Sequence, residues 1–238
     1  MSDRRTLRAA KRRIAEAYKT AVGERKVEPL EDGALVKYGK DGFDYSLYKE
    51  IQTLGNKLKL EYQWVAKDHV EILSSYLNER LSDMTFGLCH GTRRGAEQGW
   101  FTKHLTGHPA VIGTEISDTA TDFPATIQWD FHDTKDEWTG AADFVYSNYW
   151  DHAHDPYKAF GAWVSSLKPG GFMFLDHGPN YDPKRVNELD PFGMSLKGLE
   201  TLLNHQFDGI GSCVEVIEGG MHKTIPIITL AFRKHATA

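Results

Sequence analysis

Cysteine is scarce: Cys89 and Cys213 are the only thiols in 238 residues. Two thiols so far apart supply neither a disulfide framework nor paired metal-ligand spacing, and each sits in an apolar stretch that suits a small buried side chain. Long apolar runs are also missing. No stretch approaches the roughly 18 uncharged residues of a membrane span, and the first 26 residues are too charged for a secretory signal. A cytoplasmic protein without a membrane partner is therefore expected. Positive charge is in deficit as well. The formal net charge of -5 removes the usual electrostatic ground for nucleic-acid binding. One segment runs against that balance: residues 1–26 carry nine Lys/Arg against three acids, a local +6. It reads either as a solvated helix or as an arm for phosphates or another subunit, and oligomeric state stays open.

What is present is enough apolar residue, 40% against 26% charged, for one main core. The N-terminal third reads as helical. Residues 7–20 form an amphipathic helix candidate, and in residues 62–81 Val65, Ile72, Leu73, Tyr76, Leu77 and Leu81 recur near helical spacing. Between them PLEDGALVKYGKDGFD, residues 29–44, breaks the period with glycine and aspartate and is placed as a connection. From residue 84 short apolar runs alternate with room for helices. The predicted strands are 84–89, 110–115, 125–129, 142–146, 171–176, 212–218 and 225–233. Such alternation implies a mostly parallel α/β sheet, doubly wound and covered on both faces. The last two runs, joined by Gly219 and Gly220 without a helix, should pair antiparallel.

In a doubly wound sheet a ligand sits at the carboxyl ends of the strands, so the first strand-to-helix turn meets it. That turn reads FGLCHGTRRGAEQGWF. Gly91 and Gly95 permit a tight turn and close backbone approach. Glu115 ends the next strand, twenty residues past Gly95, where a carboxylate can accept from both hydroxyls of a ribose. The third strand ends in IQWDFHD, which sets Asp130 and Phe131 beside the base of such a nucleoside.

With these features in order the chain resembles the class I S-adenosylmethionine-dependent methyltransferases over about residues 82–238. The resemblance is carried by CHGTRRG, Glu115, WDFHD, ADFVYSNYWDH, the turn Lys168-Pro169-Gly170-Gly171 before the fifth strand, and the final hairpin. It implies a seven-stranded sheet of order 3-2-1-4-5-7-6 with the cofactor S-adenosylmethionine, residues 82–238 being the core and 1–81 a helical extension or substrate-side cap. Cofactor contacts would come from Cys89, His90, Gly91, Thr92, Arg93, Gly95, Glu115, Ile116, Asp130, Phe131 and Asn148. The turn departs from the family pattern acid-x-Gly-x-Gly-x-Gly at Cys89, in the acidic position, and at Arg93, in the middle glycine position. Arg93 is then a candidate partner for the methionine carboxylate; alternatively Arg93 and Arg94 face solvent at a helix start.

The fourth strand of this fold ends toward the transferable methyl group, and here it runs into SNYWDHAHDP. Methyl transfer to a hydroxyl gains from a base, which nominates His152 with Asp151 or Asp155 to orient it, and Asn148 and His154 beside it. Tyr149, His177, Tyr181, Arg185 and Asp190 are acceptor-contact candidates, the last three in the polar segment 178–193, read as a lid. Tyrosines of residues 43–65 and Trp64 are further wall candidates. A competing arrangement places Asn148, Asp176 and the adjacent His177 like the magnesium ligands of catechol-type O-methyltransferases, and magnesium is not favoured. His152 and His154 as a transition-metal pair lack a third ligand. A small molecule or sugar is the expected acceptor, O-methylation being favoured over N-methylation. The rivals are an NAD-dependent oxidoreductase, weakened because Gly91 has no second glycine before Gly95, and a non-catalytic cofactor-binding scaffold.

Overall fold

A computed structural model of the chain describes residues 3–222 and 224–236, excluding the side chains of 3–7 and 10; Arg4 and Arg5 of the basic segment lie outside the described side chains. Seven strands form one sheet: β3 (Phe86–His90), β4 (Ala110–Glu115), β5 (Thr126–Gln128), β6 (Ala142–Ser147), β7 (Leu167–His177), β9 (Gly211–His222) and β10 (Ile225–Lys234). Their order is β5-β4-β3-β6-β7-β10-β9. This is the expected 3-2-1-4-5-7-6, parallel except for β10, which runs against both β7 and β9. The Lys168 to Gly171 turn is absorbed into β7 as an irregularity, where the register with β6 shifts between Ala142 and Phe144.

Alternate side chains of the central strands go to opposite faces. Leu88, Val145, Met173 and Leu175 join Phe160 and Trp163 of α5 (Pro156–Ser166) and Leu199 and Leu203 of α6 (Leu196–Gln206) in one core. Cys89, Phe144, Tyr146, Phe172 and Phe174 meet Val70, Leu73 and Leu77 of α3 (Lys67–Arg80) and Phe101 of α4 (Ala96–His104) in the other. Each such buried side chain contributes about 1.5–3 kcal/mol. Both cysteines are free thiols, Cys89 fully buried, as their apolar setting implies. Among the described residues no helix is long and apolar enough to cross a membrane.

The segment placed as a connection is instead a hairpin. β1 (Val27–Leu30) and β2 (Gly33–Val36) pair antiparallel about a turn in which Asp32 takes φ 56°. β8 (Phe192–Met194) adds to β2, so the segment expected as a free lid is stitched to the N-terminal part of the chain. A third core cluster joins Ile14, Tyr18 and Val22 of α1 (Asp3–Val22), Leu47, Tyr48 and Ile51 of α2 (Tyr45–Leu58) and Leu189 of that same segment. Tyr38 Oη donates to Glu188 O at 2.6 Å and Gln52 Nε2 to Leu189 O at 2.9 Å, which closes the seam.

At the C-terminal end of β7 one carboxylate gathers buried donors from several elements. Asp176 Oδ1 accepts from His69 Nε2 and Thr229 Oγ1, both at 2.8 Å, and Oδ2 accepts from Tyr146 Oη at 2.6 Å. His69 Nδ1 accepts the Gly220 N–H at 3.2 Å, which leaves the ring proton on Nε2, facing Asp176. Asp176 is therefore no ligand for magnesium: it is 1% exposed and both oxygens are engaged. Asp176→Ala should strand three buried donors and lower the unfolding free energy by about 3–5 kcal/mol in urea. A loss below about 1 kcal/mol would show that the network is dispensable.

Candidate functional site

The turn between β3 and α4 alternates into the left-handed region at Gly91 (φ 75°), Arg93 (φ 43°) and Gly95 (φ 71°). Gly91 and Thr92 donate their N–H groups to Thr114 O at 2.9 and 3.1 Å, which ties the turn to β4. A Cβ at Gly91 would stand 2.4 Å from Tyr149 Cβ, so the close approach that glycine permits is taken here by the Tyr149 side chain. A Cβ at Gly95 would stand 2.7 Å from Thr126 Oγ1. Arg93, in contrast, holds a backbone conformation that costs a residue with a Cβ about 1–2 kcal/mol. It does so while 7% exposed, its Nη1 donating to Tyr62 O at 2.6 Å. Arg94 reaches Glu61 O at 3.3 Å, so neither arginine simply faces solvent.

Beside this turn lies a narrow cavity of about 30 Å³ lined by Gly91, Arg93, Glu115, Ile116, Asp130, Phe131 and Tyr149, with Tyr48, Gln52 and Asn56 of α2 on its other side. Glu115 is 5% exposed, and its Oε1 accepts the Ser117 N–H at 3.0 Å. Burial pushes its carboxyl up, partly offset by Ser117, Arg93 and Asn56. Asp130 goes the other way. Burial would raise it, but the His132 ring and backbone N–H together with Tyr45 hold it at about 2. A nucleoside needs more room than this cavity offers, so α2 and Tyr149 must separate from the turn to admit one.

A second cleft, about 470 Å³, opens on the far side of Tyr149 and His152. Tyr62, Trp64, Asn148, Asp151, Tyr181, Arg185 and Asp190 line it, and it shares Lys59, Arg93, Tyr149 and His152 with the first. His152 stands between the two spaces. Gln52 commits its Nε2 to Leu189 O, so its Oε1 faces His152 Nδ1 at 2.7 Å and fixes the ring proton there. The Nε2 lone pair is left pointing toward Asp190 Oδ1 at 3.3 Å. Burial depresses His152 to about 3, against the pull of Asp190, so the ring is neutral. Asp190 itself stays low: burial raises it, and Lys59, His152 and Asn187 outweigh burial. Asp151 is pushed well up by burial and then by Asp190.

The structure brings Arg93, Glu115, Ile116, Asp130, Phe131, Asn148, Tyr149, Asp151, His152, Tyr181, Arg185 and Asp190 to these two spaces and leaves other expected residues outside. Cys89 and Thr92 point into the core, and His90 bonds Thr114 Oγ1 at 2.8 Å and stacks on Trp163. His154 is stacked between Phe43 and His132. His177 reaches Met194 O at 3.0 Å and stacks on Trp150. Asp155 caps α5 through the Lys158 N–H and does not orient His152. Tyr181 lines the second cleft yet is anchored, its hydroxyl on Asn148 O at 2.8 Å and its ring on Trp150. Asp130, His132 and His154 stand close enough to share a cation, but His132 spends its Nε2 lone pair on the His154 N–H. Tyr48 is one of the tyrosines expected as a wall, and the residues that sequence reasoning missed are Gln52, Asn56 and Lys59. Gln52 and Asn56 along α2, with Lys59 at its C-cap and beside buried Leu47 and Ile51, form a polar stripe on a core-facing side, and that was the available signal.

No protein-family model matches the chain, and no curated protein matches its sequence. Solved structures match its shape. Burkholderia thailandensis 1,6-didemethyltoxoflavin-N1-methyltransferase, with bound 1,6-didemethyltoxoflavin and S-adenosylhomocysteine, superposes with a TM-score of 0.60 at 11% identity, over 88% of this chain and 99% of that one. N-methyltransferase NodS from Bradyrhizobium japonicum WM9, in complex with S-adenosylhomocysteine, gives 0.52 at 16% identity, over 75% and 98%. The [4+2]-cyclase SpnF gives 0.52 at 12% identity, over 70% and 81%. The chain has the class I S-adenosylmethionine-dependent methyltransferase fold. Because one of these neighbours is a cyclase, the reaction must be argued from the residues of the site.

Two measurements check this geometry. Arg93→Gly and Arg93→Ala both remove the guanidinium, but only glycine relaxes the positive φ; the glycine variant should be the more stable by about 1 kcal/mol in urea. Equal midpoints would show an unstrained turn. His90, held at about 3 by burial, binds no proton in the folded chain near pH 5, while the unfolded chain does below about 6.5. Its share of stability is complete above pH 6.5 and falls as the pH drops toward 3. In His90→Leu the stability lost between pH 7.5 and 5 should shrink by up to about 2 kcal/mol; an unchanged loss would place that ring in contact with water.

Proposed function

We propose that this chain transfers a methyl group from S-adenosylmethionine to a hydroxyl of a small-molecule or sugar acceptor, with His152 as the base. The observation that carries the reading is the position of His152: a neutral imidazole that lines both the small cavity beside the turn and the larger cleft, its Nδ1 proton pinned by Gln52 and its Nε2 lone pair turned toward Asp190, a residue of that cleft. A proton arriving on Nε2 meets the Asp190 carboxylate at 3.3 Å, which stabilises the imidazolium that forms. Asn148, Tyr149 and Asp151 bound the space where an acceptor would lie, with Tyr181 and Arg185 at its outer side.

The chain's own residues fit the cofactor. Glu115 offers a buried carboxylate for the ribose hydroxyls and Asp130 an ionised one for the amino edge of the base, with Phe131 and Ile116 as apolar walls. Arg93 has a buried Nε without a hydrogen-bond partner, suited to a carboxylate. When bound, S-adenosylmethionine supplies an electrophilic methyl on a sulfonium. What the protein adds is alignment and exclusion of water. Residues 1–81 act as the substrate-side cap: α2 roofs the mouth and the β2–β8 pairing couples its movement to the segment that bears Asp190. The negative overall charge and the cleft of about 470 Å³ favour a small acceptor over nucleic acid, and a cytoplasmic setting suits two free thiols.

Isothermal titration with S-adenosylhomocysteine and with NAD tests the cofactor: heat with the first alone is expected, and heat with NAD alone would move the chain to the oxidoreductases. In an acceptor screen that follows labelled methyl, His152→Gln should lower kcat by about 10²–10⁴-fold while S-adenosylhomocysteine still binds. An undiminished kcat would remove His152 from the chemistry and shift the reading to an amine acceptor, which needs less help from a base.

A further inference from the structure

One buried acid, in the helix that follows the turn and four residues after Arg93, is unused by the reading above. Glu97 lies in the first turn of α4 and is 4% exposed, against the fully buried Cys89. Its Oε1 accepts from Gln63 Nε2 at 2.9 Å, and its Oε2 is buried without a hydrogen-bond partner. Arg93 shows the complementary deficiency. Its Nη1 is held by Tyr62 O while its Nε is buried and unpaired. The two side chains act on one another electrostatically, yet these two atoms do not bond each other. Consecutive residues of one loop, Tyr62 and Gln63, hold them both.

A buried acceptor and a buried donor of opposite charge, each left incomplete, cost free energy unless a ligand completes them. The ligand that completes both carries an anion and a cation close together, which is the zwitterionic head of an α-amino acid. We propose that Arg93 and Glu97 form a clamp for such a head, Arg93 taking the carboxylate and Glu97 the ammonium of the methionine end of the cofactor. The inference rests on the methyltransferase reading and adds to it the residue that binds the ammonium. Cys89 cannot serve, because burial pushes its thiol well up and leaves it uncharged. Glu97 is itself raised to about 7 by burial, with Gln63 and Arg93 opposing, so an arriving ammonium would restore its charge. Nothing else on α4 offers a carboxylate.

The test compares three ligands on the wild-type chain and on Glu97→Gln by titration calorimetry: S-adenosylhomocysteine, its analogue with the amino group replaced by hydrogen, and 5′-methylthioadenosine, which lacks the whole amino-acid end. The wild type should prefer S-adenosylhomocysteine over the desamino analogue by about tenfold or more. Glu97→Gln should abolish that preference and bind 5′-methylthioadenosine as the wild type does. An E97Q protein that keeps the preference overturns the clamp. So does a wild type that binds S-adenosylhomocysteine and its desamino analogue equally, a comparison that needs no variant to fold. A wild type that binds none of the three removes the cofactor reading and the clamp together, whereas firm binding of all three with equal affinity removes the clamp alone.

Discussion

The Asp176 carboxylate is the interaction on which the placement of the site depends. It joins α3 through His69, β6 through Tyr146 and β10 through Thr229, and its own backbone carbonyl accepts the Trp150 indole N–H at 2.6 Å. Buried charge is tolerated only when its hydrogen-bonding capacity is filled, and here both oxygens are filled from separate elements. Trp150 follows Asn148 and Tyr149 and precedes His152 by two residues. Anchoring the indole therefore anchors the segment that divides the two cavities. Tyr181 adds a second hold on the same stretch through Asn148 O and the face of Trp150.

Against that rigid base, the opposite wall is assembled from parts distant in sequence. Gln52 of α2 bonds His152 and Leu189, and Tyr48 Oη donates to the His152 carbonyl at 3.2 Å. The small antiparallel sheet β1-β2-β8 fuses the N-terminal extension with the segment after β7. Extension and loop are thus joined in one piece that supplies Tyr48, Gln52, Asn56 and Leu189 to the cavity beside Gly91. The same piece carries Asp190, so it also sets the electrostatics at His152.

Much of the large sheet was legible because a strand covered on both faces reads as a near-continuous apolar run, and such runs are visible in 84–89, 142–146 and 171–176. Glu115 and Asp130 were legible because they stand at strand ends, where topology alone points a side chain to the ligand edge. The small sheet was not. β1 shows a burial pattern that is exposed at Val27, Glu28 and Pro29, and β8 is three residues long, so neither leaves a pattern that differs from a loop. His154 looked equivalent to His152 by proximity in sequence and His177 looked like an acceptor contact, yet direction removes both: one turns into a ring stack with His132 and Phe43, the other toward Met194 O.

The order of residues by itself determined the α/β alternation, the left-handed turn after the first core strand and the acids at the strand ends, since each follows from local backbone geometry or from the two faces a central strand must bury. Tertiary structure alone decided which histidine turns its free ring nitrogen toward Asp190, that Arg93 accepts a strained φ in a buried place, and that Glu97 and Arg93 are held by consecutive residues of one loop. The reason is that ionisation, tautomer and unpaired hydrogen-bonding capacity depend on partners dozens of residues away: Gln52 for His152, Tyr62 for Arg93 and Gln63 for Glu97. A carboxylate or an imidazole has no fixed chemistry until the fold has chosen its neighbours.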